Sequence, residues 1–147
     1  MNYLYTSMAF FVGFMLPVQV GINVELARFI NSPVLATLIS FAVGAVFLGA
    51  SVLVFKVPFP AIGHVTAMPA WAWGGGLIGA AVVLGSIIAG PEIGALALVG
   101  ILLAGQLIAS VLIDHYGWLG FPIQKMNSVR LVGVLLLVGG FLLIRRN

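Results

Sequence analysis

Gln106, Ser110 and Asp114 recur every fourth residue through the otherwise apolar run from Ala104 to Gly117. In a helix that spacing sets an amide, a hydroxyl and a carboxylate in one line on one face. The first two can hydrogen-bond a polar solute, and the third can take up or release a proton. Two readings fit the line: helix–helix hydrogen bonding with Asp114 at the water boundary, or one wall of a substrate path. A second polar set lies early in the chain, where Gln19 and Asn23 stand one turn apart, followed by Glu25 and Arg28. Ser40 is the main polar interruption of the apolar stretch after that.

Catalytic chemistry finds no support. Ser110 and His115 are five residues apart and do not face each other on a helix, so no nucleophile–base pair forms. The glycines lie in apolar stretches, and no phosphate-cradling Gly-x-x-x-x-Gly-Lys run occurs. His64 and His115 are distant and there is no cysteine, so no metal site, no disulfide and no cofactor is expected. We expect no catalytic residue and no enzyme.

Composition sets the class. Of 147 residues 63% are hydrophobic and only 6% charged, and the mean hydropathy is +1.27. A soluble domain carries about 25% charged residues; this chain could not cover its own surface in water. It reads as an all-α membrane protein with the lipid bilayer as its solvent. The six basic residues are too few to signal nucleic-acid binding. The stretch from Met1 to Val24 carries no side-chain charge and runs into a long apolar helix, so no cleavable signal is expected.

Five helices are predicted in a single transmembrane domain over 1–147, at about 3–30, 33–55, 70–89, 93–113 and 128–144. The first is long enough to tilt and contains Pro17, which should kink it or free a carbonyl. Asn31 and Ser32 before Pro33 read as an N-cap followed by proline at the first helical position. Residues 57–69, with three prolines and His64, form the sizeable loop. Trp71 and Trp73 suit an interfacial belt, and Gly75 with Gly79 makes a small-residue face. Gly90-Pro91-Glu92 is expected to turn the chain, placing Glu92 in the first turn of the fourth helix near its positive dipole end. The last uncharged run, Leu131 to Ile144, rises only about 21 Å, so Arg130 must snorkel or rest against protein.

Counting from the turns places Gln19 about 18 Å deep and Gln106 about 20 Å deep, both near the midplane. Asn23 falls at about 12 Å and Glu25 at about 9 Å on the same scale. With five spans, Lys56, Lys125 and Arg130 share one side while Arg28, Arg145 and Arg146 share the other. Three against three gives no orientation by the positive-inside rule. Such a balance suits insertion both ways round. Two inverted copies would then pair as an antiparallel homodimer with ten helices, the inverted repeat of many transporters.

The runs Gln19-x-Gly21-x-Asn23-x-x-Leu26, Ser32-Pro33 and Ser40-Phe41-x-x-Gly44 resemble the opening of the YdcZ-type five-helix proteins of the drug/metabolite transporter superfamily. Trp73-x-Gly75-Gly76-x-x-Gly79, Pro91-x-x-Gly94, Ala104-Gly105-Gln106, Asp114-His115-Tyr116-Gly117-Trp118-Leu119-Gly120 and Arg130-x-x-Gly133 continue the similarity over nearly the whole chain. The resemblance implies a bacterial inner-membrane protein and half of a transporter; larger superfamily members carry two inverted five-helix halves. Glu25 departs from the pattern.

The expectation is a secondary transporter that exports a small polar organic metabolite or drug-like compound by alternating access. Gln19, Asn23, Ser40, Gln106 and Ser110 are the candidate substrate-binding residues, and Glu25 and Asp114 the candidate proton-coupling ones. A small dual-topology ion channel and a non-transporting subunit of a heteromeric transporter are the alternatives.

Overall fold

The computed structural model describes residues 3–145, with side chains through residue 143. Among the described residues every regular element is helical. The long helices are α1 (Tyr3–Ile30), α2 (Pro33–Val54), α4 (Gly74–Ile93), α5 (Ala95–Tyr116) and α6 (Ser128–Arg145). A one-turn α3 (Ile62–Thr66) and a 3-10 turn (Ala70–Trp73) occupy the loop before α4, and a second 3-10 turn (Trp118–Gly120) follows α5. Among the described residues four spans are long and apolar enough to cross a membrane: Tyr3–Ile30, Pro33–Val54, Ala70–Ile93 and Ala95–Tyr116. The 18 residues of α6 rise about 27 Å, just under a hydrocarbon core.

Contacts divide the chain into two compact units, Met1–Glu92 and Ile93–Asn147, each described by itself. In the first, α1 closes at Asn31, which takes the left-handed conformation (φ 51°) that asparagine tolerates better than most residues. Ser32 then caps α2, its Oγ accepting from the Leu35 N–H at 3.2 Å, and Pro33 occupies the first turn where no N–H is needed. The hairpin is therefore written in four residues.

What the first unit buries is small or polar, Ile87 apart. Ala27, Ala36 and Ile87 form the core, with Thr37, Ser86 and Asn23 the buried polar residues of the unit. Large side chains such as Phe10, Phe29, Phe47 and Leu77 point outward. A soluble protein has the opposite distribution. In lipid the outside is as apolar as the inside, so small residues that let backbones approach take the interface. Gly79 sits under the Phe41 ring, where an added Cβ would lie 3.5 Å from the ring edge.

The turn before α5 is displaced from its sequence-based place. Helix α4 runs through Gly90 and Pro91 to Ile93, and the chain breaks at Gly94 instead. Gly94 has φ 83° and ψ 154°, a region open essentially to glycine alone. Pro91 lies inside α4, where it gives up its own i→i−4 hydrogen bond and crowds the carbonyl four residues back, and the helix ends two residues later at Ile93. Glu92 accordingly lies in the last turn of α4, at the negative end of its dipole. The expected first-turn role of Glu92 is corrected.

In the second unit α5 extends through Asp114 and His115 to Tyr116, a turn past the expected end at residue 113. Helices α5 and α6 pack closely at Gly100. The Phe141 ring occupies the place a Cβ at Gly100 would need, so it rests directly on the backbone.

Candidate functional site

Three of the five candidate binding residues come together. Gln19 and Asn23 of α1 and Ser40 of α2 line one open groove of about 680 Å³ in the first unit, with Phe14, Met15 and Ile22 among its apolar walls. The i, i+4 spacing that joins Gln19 to Asn23 arises from α1 continuing unbroken past Pro17. Among the described residues no charged side chain lines the groove.

The two amides differ in setting. Gln19 is exposed, while Asn23 retains only 4% of its surface. Its Nδ2 is buried and has no hydrogen-bond partner among the described residues. The other buried polar side chains of the unit satisfy themselves within their own helices. Thr37 donates to the Pro33 carbonyl at 2.9 Å and Ser86 to the Val82 carbonyl at 2.7 Å. An amide that ends up closed in without a partner forfeits a hydrogen bond, at a cost of about 1–3 kcal/mol.

Gln106 and Ser110 belong to the second unit, and both are exposed on α5. Gln106 lies eleven residues after Ala95 in a helix of 22, about 16 Å along it. Asp114, the third member of that line, is tied down. Its Oδ2 is 3.4 Å from Arg130 Nη1, and its carbonyl accepts from the Gln124 N–H at 2.8 Å. Arg130 Nη1 also donates to the Gln124 carbonyl at 3.0 Å, and Nη2 donates to Gln124 Oε1. Asn127 Oδ1 accepts from the Arg130 N–H at 2.9 Å, capping α6. His115 Nδ1 accepts from the Met126 N–H at 3.3 Å. Sequence spacing named Asp114 and Arg130 but missed Gln124, Asn127 and His115, whose roles depend on how the 117–127 connection folds back.

Glu25 is likewise paired, with Arg28 at 2.5 Å across one turn of exposed helix. Both candidate proton-coupling carboxylates thus hold an arginine. No group of three or more His, Cys, Asp or Glu capable of holding a metal occurs among the described residues.

Apolar helices of spanning length, a first unit that buries mainly small side chains, and charges kept to ion pairs, helix ends and loops fit a polytopic membrane protein. The chain belongs to the YdcZ family, described as "Putative inner membrane exporter, YdcZ", whose model matches residues 4–143. The family's name indicates a transporter rather than an enzyme. No curated protein and no solved structure matches the chain.

Proposed function

We propose that this protein is a secondary exporter of small organic molecules, working by alternating access, with the groove of Gln19, Asn23 and Ser40 as part of its binding site. The observation that carries this reading is the convergence of three polar side chains on one groove in an otherwise apolar, lipid-suited surface. Polar groups at membrane depth are costly and mark ligand paths. Gln106 and Ser110, exposed on α5 of the second unit, are proposed as substrate contacts as well.

The assembly we propose is an antiparallel homodimer, because the basic residues balance between the two sides of a five-span chain. Of that balance, Arg146 lies outside the described residues. Proton coupling through Glu25 or Asp114 would require the carboxylate to leave its arginine partner. An ion channel is the weaker alternative, since a conducting pore needs a continuous polar lining and the groove walls are mostly apolar. A non-transporting subunit is tested by expressing the chain alone.

The experiment is an accumulation assay in cells stripped of their own exporters, with the chain overproduced as the sole added protein. A panel spanning neutral, cationic and anionic compounds is followed with and without it. Lowered accumulation of at least one compound is expected; no change for any compound contradicts the exporter reading.

A further inference from the structure

We propose that Asn23 is the polar anchor for the ligand, and that this ligand is an uncharged, largely apolar molecule carrying one strong hydrogen-bond acceptor such as a ketone carbonyl. The inference rests on the transport reading above and names its substrate class. Three observations lead to it.

First, among the described residues the groove offers three neutral polar side chains and no charge. An ion entering it would shed its hydration with no counter-charge to replace it. An apolar body loses nothing there. Second, the unpaired group is a donor. Asn23 lines the groove, and its Nδ2, closed off from water, is unbonded among the described residues, so turning the amide toward a ligand acceptor in the groove breaks no bond and gains a hydrogen bond that the empty protein lacks. Third, the vacancy is specific to this residue, because the buried hydroxyls of Thr37 and Ser86 are bonded within their helices. A second groove of about 370 Å³ along α2 and α4 has Thr37 as its polar member, with that hydroxyl already used.

A buried, unpaired amide that serves only structure is unfavourable compared with an apolar residue of similar size. An amide retained for binding should therefore trade stability for affinity. That trade separates the two roles experimentally.

The test uses the full chain in detergent micelles and four compounds on one ring system: 2-acetylnaphthalene, its hydrocarbon isostere 2-isopropenylnaphthalene, the 2-naphthoate anion and the (2-naphthylmethyl)trimethylammonium cation. Binding is measured against protein-free micelles. We expect the ketone to bind the wild-type protein about tenfold more tightly than the hydrocarbon, as one gained hydrogen bond allows, and more tightly than either ion. In Asn23→Leu the ketone and the hydrocarbon should bind alike, and the variant should unfold at a higher temperature than wild type.

Equal binding of ketone and hydrocarbon by the wild type overturns the anchor, whether or not the variant folds. A preference retained in Asn23→Leu, or a variant that unfolds at a lower temperature, assigns Asn23 to structure and overturns it as well. Tighter binding of either ion overturns the substrate class while leaving export intact. A phospholipid that copurifies one per chain with wild type but not with Asn23→Leu overturns a free small molecule as the occupant. Ketone binding through Asn23 without export of any compound supports this inference and removes the transport reading instead.

Discussion

Arg130 Nη1 stands 3.4 Å from Asp114 Oδ2 and 3.0 Å from the Gln124 carbonyl, so one guanidinium fastens the end of α5 to the start of α6. The side chains are 38% and 32% exposed, which limits the ion pair to a modest share of the energy. The hydrogen bonds to Gln124 add to it. Arg130→Met should therefore cost about 1–2 kcal/mol of stability, while Asp114→Asn, which leaves the Gln124 contacts in place, should cost less. Thermal unfolding of the two variants in detergent checks the order.

The Glu25–Arg28 pair spans one turn of exposed helix. Pairs of this kind contribute a few tenths of a kcal/mol. Glu25→Gln should leave stability unchanged within that margin. Export as a function of pH decides the rest: if Glu25 couples protons the variant loses its pH response, and if the pair is a surface contact the response is kept.

Gly94 carries a backbone conformation that other residues reach only under strain, at φ 83° and ψ 154°. We expect Gly94→Ala to cost about 1–3 kcal/mol. At Gly100, where the Phe141 ring occupies the place of a Cβ, Gly100→Ala should cost about 1–3 kcal/mol through overpacking. The double variant Gly100→Ala with Phe141→Leu tests the cause, since a smaller partner should recover part of the loss.

These particulars divide what was legible in the sequence from what was not. Hydropathy alone marks out the long helices, because lipid leaves their pattern nearly uncontradicted by tertiary contacts. The Asn31-Ser32-Pro33 turn was readable for a local reason: each residue fills a fixed place in the cap. Gly90-Pro91 misled because the helix runs two residues past its proline, and the true break needed a positive φ that any of several nearby glycines could have supplied. Spacing put Gln19 and Asn23 on one face. It could not say that Asn23 would be closed in with an unpaired donor while Gln19 stayed open, because that depends on what α2 and α4 lay against α1. The ties of Arg130 to Gln124 and Asn127 were hidden for the same reason.

The balanced charges yield an expectation for topology. The chain has no cysteine, so a single cysteine replacing exposed His64 in the loop before α4 reports on one side at a time. An antiparallel dimer should give about half of the molecules labelled by an impermeant reagent before permeabilisation. Labelling of all or none before permeabilisation contradicts insertion both ways round.

The central claim is that the Gln19 groove lies on the transport path. The most direct measurement is the initial export rate of a transported compound by wild type, Gln19→Leu and Ser40→Ala, at matched amounts of protein in the membrane. Gln19 is exposed on α1, so replacing it should spare folding and insertion. Loss of most of the rate in Gln19→Leu, with a smaller loss in Ser40→Ala, is the expected result. Wild-type rates in both variants would contradict the account.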